Sequence, residues 1–273
     1  MTNKDLKQKA REIRLLMLQA LRPLESHHIG CAFSIVDILT YLYFEELNIY
    51  PKKPKNPDRD IFLLSKGHAG LALYATLCQK GFFDKKLLMT YDQDGFHMPE
   101  HASTQVPGVE LSTGSLGHAL PVGIGFATSF KNDNKKNRVF VLLSDGELDE
   151  GSNWEGFMFA GHHHLNNLTA IVDLNGFQGY SDTKNVLDLS PLKKKIENFG
   201  WNVFDCDGHD FANIRTVLLK DCPLEGQSLK KPRMIIAHTV KGKGIPYFEG
   251  KFESHYKSVD EKTKQELIKN FKF

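Results

Sequence analysis

Two short apolar runs, RVFVLLS at 138–144 and TAIVDL at 169–174, flank GSNWEGFMFAGHHHL (151–165), a stretch with the length of a single helix. That order is the grammar of a βαβ unit, whose parallel strands need helices on both faces of the sheet. The same alternation runs along the chain. Residues 5–21 carry apolar positions at helical spacing and stop near Pro23, and Ser34 is placed to cap a second helix, IVDILTYLYFEEL. A strand at 60–65 precedes helices near 69–80 and 84–90, then an irregular segment from Asp92 to Thr113 rich in Pro, Gly and His. Loops of that length usually carry function. Beyond it come a helix near 116–131, the βαβ unit, a helix at 191–199, the strand WNVFDC, a helix near 210–220 and the strand RMIIAHT. The expectation is an α/β fold, one domain over residues 1–273, with a mostly parallel sheet flanked by helices.

Each strand of the βαβ unit runs straight into a polar turn, SDGELDEG after the first and DLNGFQG after the second, so that Asp145 and Asn175 stand thirty residues apart. In open α/β sheets ligands collect beyond the carboxyl ends of the strands. Mg2+ takes hard oxygen ligands, typically one or two from protein carboxylates and carbonyls with phosphates and water completing the octahedron. Asp145 would give charge, Asn175 a neutral oxygen, and Gly146 would let backbone approach a phosphate closely. Taken singly, Asp145-Gly146 and Asn175-Gly176 read more readily as turn dipeptides closing strands. Taken together at this spacing they favour a metal-diphosphate clamp.

Composition removes several other classes. A chain of 273 residues with 41% apolar content can bury a large core, and a net charge of +2 is too mild for a nucleic-acid footprint. The lysine runs KKPK (52–55) and KKK (193–195) read as solvated faces. No apolar stretch approaches the ~20 residues of a membrane span, and the N-terminus is a charged helix start without a signal-peptide core, so a cytoplasmic location is expected. Cys31, Cys78, Cys206 and Cys222 lie far apart with no CxxC, which suits buried thiols in a reducing compartment better than zinc or disulfides.

The clamp spacing is similar to the thiamine diphosphate motif, GDG followed some thirty residues later by N. Five segments in family order extend the likeness: SHHIG (26–30), LSKGHAGLALYA (64–75), PGVELSTGSLGHAL (107–120), the SDGELDEG to DLNGFQG block, and HTVKGKGIP (238–246) with SHYK (254–257). On these the chain resembles the N-terminal, diphosphate-binding third of transketolases, in the form made as a separate small subunit.

The resemblance implies a thiamin diphosphate-binding fold, with thiamine diphosphate and Mg2+ (or Ca2+) as cofactors. It implies metal ligation by Asp145, Asn175 and the backbone carbonyl of Phe177, and cofactor contacts from His68, Gly114, Leu116, Gly146, Glu147, Asn175 and His255. His28, His68, His101 and His255 match histidines that transketolases set around cofactor and substrate, where imidazoles bind hydroxyls and move protons. His68 also opens a helix whose dipole favours an anion. His101 is preferred over His97 because it stands six residues before Pro107, the family spacing; His97 stays open as the alternative. Leu116 reads equally as an apolar contact to the thiazolium ring or as ordinary helix core. Four departures bear on substrate choice and fit: His27 and Ile29 stand where the family's SGHPG has Gly and Pro, His118 and Ala119 replace Gln and Gly of LGQG, and Ser144 replaces the glycine before Asp145.

The implied reaction is transfer of a two-carbon ketol unit from a ketose to an aldose. In the family the glutamate that activates the cofactor lies in a pyrimidine-binding domain, and the chain ends at Phe273 before such a domain. Glu150 and Glu155 match acidic residues near the subunit interface instead. The expectation is therefore a chain inactive alone, working with a companion that carries the pyrimidine-binding and C-terminal domains, as two copies of each chain (α2β2), on small sugar substrates with no nucleic acid and no membrane. Two alternatives stay open: the α subunit of another two-chain thiamine enzyme, such as a 2-oxoacid dehydrogenase or a deoxyxylulose-phosphate-synthase relative, and a non-catalytic cofactor-binding module.

Overall fold

The computed structural model describes residues 1–218 and 230–271. Helix α1 (Asn3–Ala20) is started by a capping box in which Thr2 and Asp5 satisfy each other's backbone N–H groups, and it buries Leu6, Ala10, Ile13, Met17 and Leu18 along one face. Then follow α2 (Ile29–Ser34), α3 (Val36–Tyr41) with a π turn at Leu42–Glu46, β1 (Ile61–Leu64), α4 (Gly70–Lys80) and α5 (Lys85–Leu88). After the long loop come α6 (Ala119–Asn132), β2 (Val139–Ser144), α7 (Gly151–His162) and β3 (Leu168–Leu174). The order closes with α8 (Thr183–Val186), α9 (Leu192–Asn198), β4 (Asn202–Asp207), α10 (Phe211–Leu218), β5 (Arg233–His238) and α11 (Glu261–Asn270).

All five strands pair in parallel, in the order β1-β2-β3-β5-β4. Their sequences read as unbroken apolar runs because both faces are covered, and alternate residues divide between two cores. Phe62, Leu64, Phe140, Leu142, Ile171 and Ile235 join α1 to α4 and α10 on one side. Leu63, Val141, Leu143, Ala170, Val172 and Ile236 meet α6, α7 and α9 on the other. Phe157 belongs wholly to that second core, whereas Phe159, two residues on, is 45% exposed. The expected α/β architecture with a parallel sheet is thus the observed one.

Some boundaries differ from expectation. Ser34 caps nothing: it is the last residue of α2, fully buried, and its hydroxyl donates to the Asp173 carboxylate at 2.7 Å and to the Cys31 carbonyl at 2.9 Å. That tertiary partner uses the oxygen a cap would have needed. Gly117, at φ +81°, delays the helix expected from 116 until Ala119. The helix expected at 210–220 is present from Phe211 to Leu218; residues 219 and 220, and Cys222, lie outside the described residues. Cys31, Cys78 and Cys206 are free thiols, and among the described residues no helix is long and apolar enough to cross a membrane.

The contact of α7 with the end of α9 allows a direct test of this packing. A Cβ on Gly161 would lie 1.7 Å from the Phe199 carbonyl oxygen, a backbone atom that cannot swing aside. Gly161→Ala is expected to cost about 1–3 kcal/mol or more, read as a lower urea midpoint with unchanged m-value; an unshifted midpoint would show that these helices separate freely.

Candidate active site

The carboxyl ends of β1, β2, β3 and β5 converge on one buried ion. Asp173, the sole charge in the apolar run of β3, is fully buried. Its Oδ2 accepts from Lys66 Nζ at 2.6 Å, Ser34 Oγ at 2.7 Å and Asn175 Nδ2 at 2.9 Å, and its Oδ1 from the Thr239 hydroxyl. Burial alone would raise the Asp173 pKa, but the Lys66 ammonium and these donors outweigh it and hold the carboxyl below the usual range. Lys66, equally buried, spends a second proton on the Cys31 carbonyl at 2.9 Å. Since Asn175 points its amide nitrogen at Asp173, its oxygen is turned the other way, toward the Phe177 N–H at 3.1 Å.

Asp145 follows β2 directly and binds the same turn. Its Oδ2 accepts from Gly176 N–H at 2.7 Å and its Oδ1 from Gly146 N–H at 2.9 Å, while its own N–H donates to the Asp173 carbonyl at 3.2 Å. Burial, and then the nearby Asp173 charge, push its pKa up to about 7 despite those two amides. A buried carboxylate resisted by its surroundings, beside an oriented amide oxygen, is a donor pair that a divalent cation would satisfy. Among the described residues no three His, Cys, Asp or Glu side chains could enclose a metal by themselves. A cation here therefore needs carbonyl and phosphate oxygens as well, which is how Mg2+ is ordinarily held.

Next to the turn is a cavity of about 480 Å3 lined by His28, His68, His101, His255, Gly114, Leu116, Gly146, Asn175 and Phe177, with Cys31, Lys66, Gln178 and Tyr256 completing much of its wall. Asp145 lines a neighbouring cavity of about 280 Å3 beneath residues 183–193. The histidine rings are mutually close: His28 lies 5.0 Å from His68, 5.9 Å from His101 and 5.0 Å from His255, centroid to centroid. His28 has the left-handed φ of +52°, which costs strain in a non-glycine residue, and is pinned by Glu100 at 3.1 Å and by its own N–H to the His255 carbonyl at 2.8 Å. Gly114 is needed because a Cβ there would meet the His101 ring at 3.1 Å.

Two imidazoles are held neutral. Burial lowers the pKa of His68 to about 4, and burial together with the Lys241 charge lowers that of His255 to about 3. Lys241 is fully buried and donates to His255 Nδ1 at 3.0 Å, which leaves the imidazole proton on Nε2. The Cys31 thiol sits 3.4 Å from the same Nδ1; burial would raise its pKa, but the His68 hydrogen bond and the Lys241, His68 and Lys66 charges bring it down to about 6.

Other expected site residues sit differently. Glu147 is fully buried and does not line the cavity; its oxygens accept from the Ser65 hydroxyl, Gly117 N–H at 2.9 Å and Ser144 N–H at 3.2 Å, bracing the turns around it. His97 is exposed and outside the cavity, and His118 is exposed with its ring turned back on the Leu116 carbonyl at 3.0 Å. Ile29 is core, and His27 is exposed. Lys66, Asp173, Cys31 and Lys241 were not foreseen as site residues. The legible hints were a lone aspartate inside an apolar strand, and a lysine directly after β1.

Comparison with known proteins gives a consistent result. The family described as "Transketolase, thiamine diphosphate binding domain" matches residues 6–273. The chain is 43% identical to one of the separately made subunits of apulose-4-phosphate transketolase from Actinobacillus succinogenes, over 93% of this chain and 91% of that protein. It is 38% identical to a 6-deoxy-6-sulfo-D-fructose transketolase subunit of a Clostridium species, over 94% and 92%. Human transketolase matches at 36% identity over 96% of this chain but 41% of its own length. Among solved structures, transketolase from Campylobacter jejuni superposes with a TM-score of 0.90 at 28% identity, covering 99% of this chain and 43% of that one.

Proposed function

The chain belongs to the transketolase family, and from that premise we propose that it is the thiamine diphosphate- and Mg2+-binding subunit of a two-chain transketolase. It moves a two-carbon ketol unit from a ketose, phosphorylated or otherwise modified, to an aldose. The observation that carries this reading is the convergence of His28, His68, His101 and His255 on a cavity whose floor is Asn175 and Gly146. Asp145, Asn175 and the Phe177 carbonyl hold the metal, Mg2+ or Ca2+; Gly114 and Gly146 admit the cofactor closely, and Leu116 gives it an apolar contact that excludes water. Thiamine diphosphate, when bound, supplies the electron sink for carbon-carbon cleavage. His68 and His255, neutral at physiological pH, offer fixed hydrogen bonds without charge. His28, braced by Glu100, and His101 handle sugar hydroxyls and their protons.

Residues 1–273 form one diphosphate-binding domain in this reading, and the companion chain brings the pyrimidine-binding and C-terminal domains in an α2β2 assembly. Relatives whose names mark them as one subunit of a larger transketolase, matched along most of their own length, support a separate companion. The free, widely spaced cysteines suit a reducing, cytoplasmic setting. The names of these similar proteins put apulose 4-phosphate and 6-deoxy-6-sulfofructose beside ordinary pentose and hexose phosphates as candidate donors.

Co-expression with the protein encoded beside it, followed by ketol transfer assays across that donor panel, tests the proposal. His101→Ala should lower kcat/KM by about 10²- to 10⁴-fold, the span of a lost acid-base group, while His97→Ala leaves the rate essentially unchanged. Turnover of pyruvate in place of ketoses would favour a 2-oxoacid dehydrogenase, and cofactor binding without turnover a non-catalytic module.

A further inference from the structure

Helix α1 carries Lys7, Arg11 and Arg14 at the i, i+4, i+7 spacing that sets side chains in one row. Arg14 is neutralised: its two Nη atoms reach the two oxygens of Asp37 at 2.9 and 2.7 Å, and its Nε donates to the Lys243 carbonyl at 2.9 Å. Asp37 also binds Nδ1 of His209 at 2.8 Å, and Nε2 of that ring accepts from Val240 N–H at 2.9 Å. With Nε2 an acceptor, the proton lies on Nδ1 and His209 adds no charge. Lys7 and Arg11 are exposed and have no ion-pair or hydrogen-bond partner among the described residues. Lys243 meets Glu249 at 3.0 Å in a solvent-exposed pair.

These groups border a cavity of about 560 Å3 that is separate from the histidine cavity, and Phe211, Ile245, Tyr247 and Leu267 form much of its remaining wall. That volume is within the range of small-molecule sites. Like charges four residues apart disfavour a bare helix by a few tenths of a kcal/mol, so Lys7 and Arg11 gain nothing from each other. The two acids that bear on the cavity, Asp37 and Glu249, are already paired with cations. One loop joins the two cavities: Lys241 reaches His255, and Lys243, two residues on, faces this second space.

We propose that this cavity is a second ligand site, taking an organic phosphate of the nucleoside monophosphate class. Its phosphate meets Lys7, Arg11 and Lys243, and its base lies against Phe211 and Tyr247. Cations at one end and aromatic carbon at the other match a charged group on a flat body. A bare sugar phosphate fits worse, because its hydroxyls would face apolar walls and a His209-Asp37 pair whose bonds are already made.

The test uses the chain assembled with its companion and saturated with thiamine diphosphate and Mg2+, so that the first cavity is filled. Calorimetric titration with AMP, GMP, CMP and UMP should give one saturable site per chain for at least one of them. The matching nucleoside and inorganic phosphate should each bind at least about tenfold more weakly. Lys7→Glu/Arg11→Glu should weaken the nucleotide at least about tenfold with the ketol-transfer rate unchanged, and Lys243→Ala should weaken it too. No saturable binding by any of the four overturns the proposal. So does affinity that survives the double substitution, or inorganic phosphate that binds as well as the nucleotide.

Discussion

Asp145→Asn is expected to abolish Mg2+-dependent binding of thiamine diphosphate while making the cofactor-free chain more stable in alkaline buffer. The carboxyl is almost entirely buried beside the charge of Asp173, and its pKa stands at about 7 against an ordinary 3.8. A carboxyl raised in this way favours the folded state while protonated. Its contribution is complete below about pH 4 and is lost as pH climbs through 7, because the folded state must then carry an unwelcome anion. Three units correspond to a cost on the order of 4 kcal/mol at pH 8. An asparagine escapes that cost but leaves one of the two amides, Gly146 N–H or Gly176 N–H, without its acceptor, so a net gain of about 1–3 kcal/mol should remain. Urea unfolding without metal should show the variant ahead at pH 8 and level or behind at pH 5.

The same substitution removes the one charge a cation would find there. Cofactor affinity measured with Mg2+ should fall on the order of 100-fold or more, beyond the 10- to 100-fold typical of residues that only support a ligand. In the wild-type chain, proton and metal compete for this carboxylate, so Mg2+-dependent affinity should decline as pH falls below about 7. Metal-dependent binding that persists in the variant would remove Asp145 from the clamp, whatever its effect on stability.

Lys66→Met should be the most destabilising single change at the site. It leaves the Asp173 carboxylate fully buried with no cation, a situation that costs about 3–5 kcal/mol when one partner of a buried pair is deleted. The loss extends beyond the pair, since Asp173 also aligns Ser34, Thr239 and Asn175. Adding Asp173→Asn removes the stranded charge and should restore a good part of the stability, a coupling that a double-mutant cycle reads directly. It should not restore cofactor affinity, because Asn175 then lacks the carboxylate that turns its oxygen outward. A Lys66→Met midpoint close to that of the wild type would mean that water reaches Asp173 and that the pair has little structural weight.

What could be read in advance followed from local physics. Strands buried on both faces must be continuous apolar runs, so VFVLLS and LTAIVDL announced a parallel sheet. The acid and amide that close two successive parallel strands must emerge at the same edge, which is why Asp145 and Asn175 could be paired from spacing alone. The choice between His97 and His101 had no local basis, since both sit in one irregular loop; its path past Gly114 brings the His101 ring, and not His97, into the cavity.

Ser34, Lys66 and Lys241 were misjudged or passed over for one reason: a serine ahead of an apolar stretch resembles a cap, and lysines resemble surface. Their roles come from partners distant in the chain, Asp173 for Ser34 and Lys66 and His255 for Lys241. Asp145 carries the same lesson in its pKa, because the carboxylate that resists its ionisation belongs to the adjacent strand. Sequence by itself determined the strands, the helices and the edge of the sheet at which polar groups gather, since those depend on residues near one another. Only the tertiary structure decided which of those groups are buried, paired or left neutral, because burial and charge pairing are set by distances across the fold.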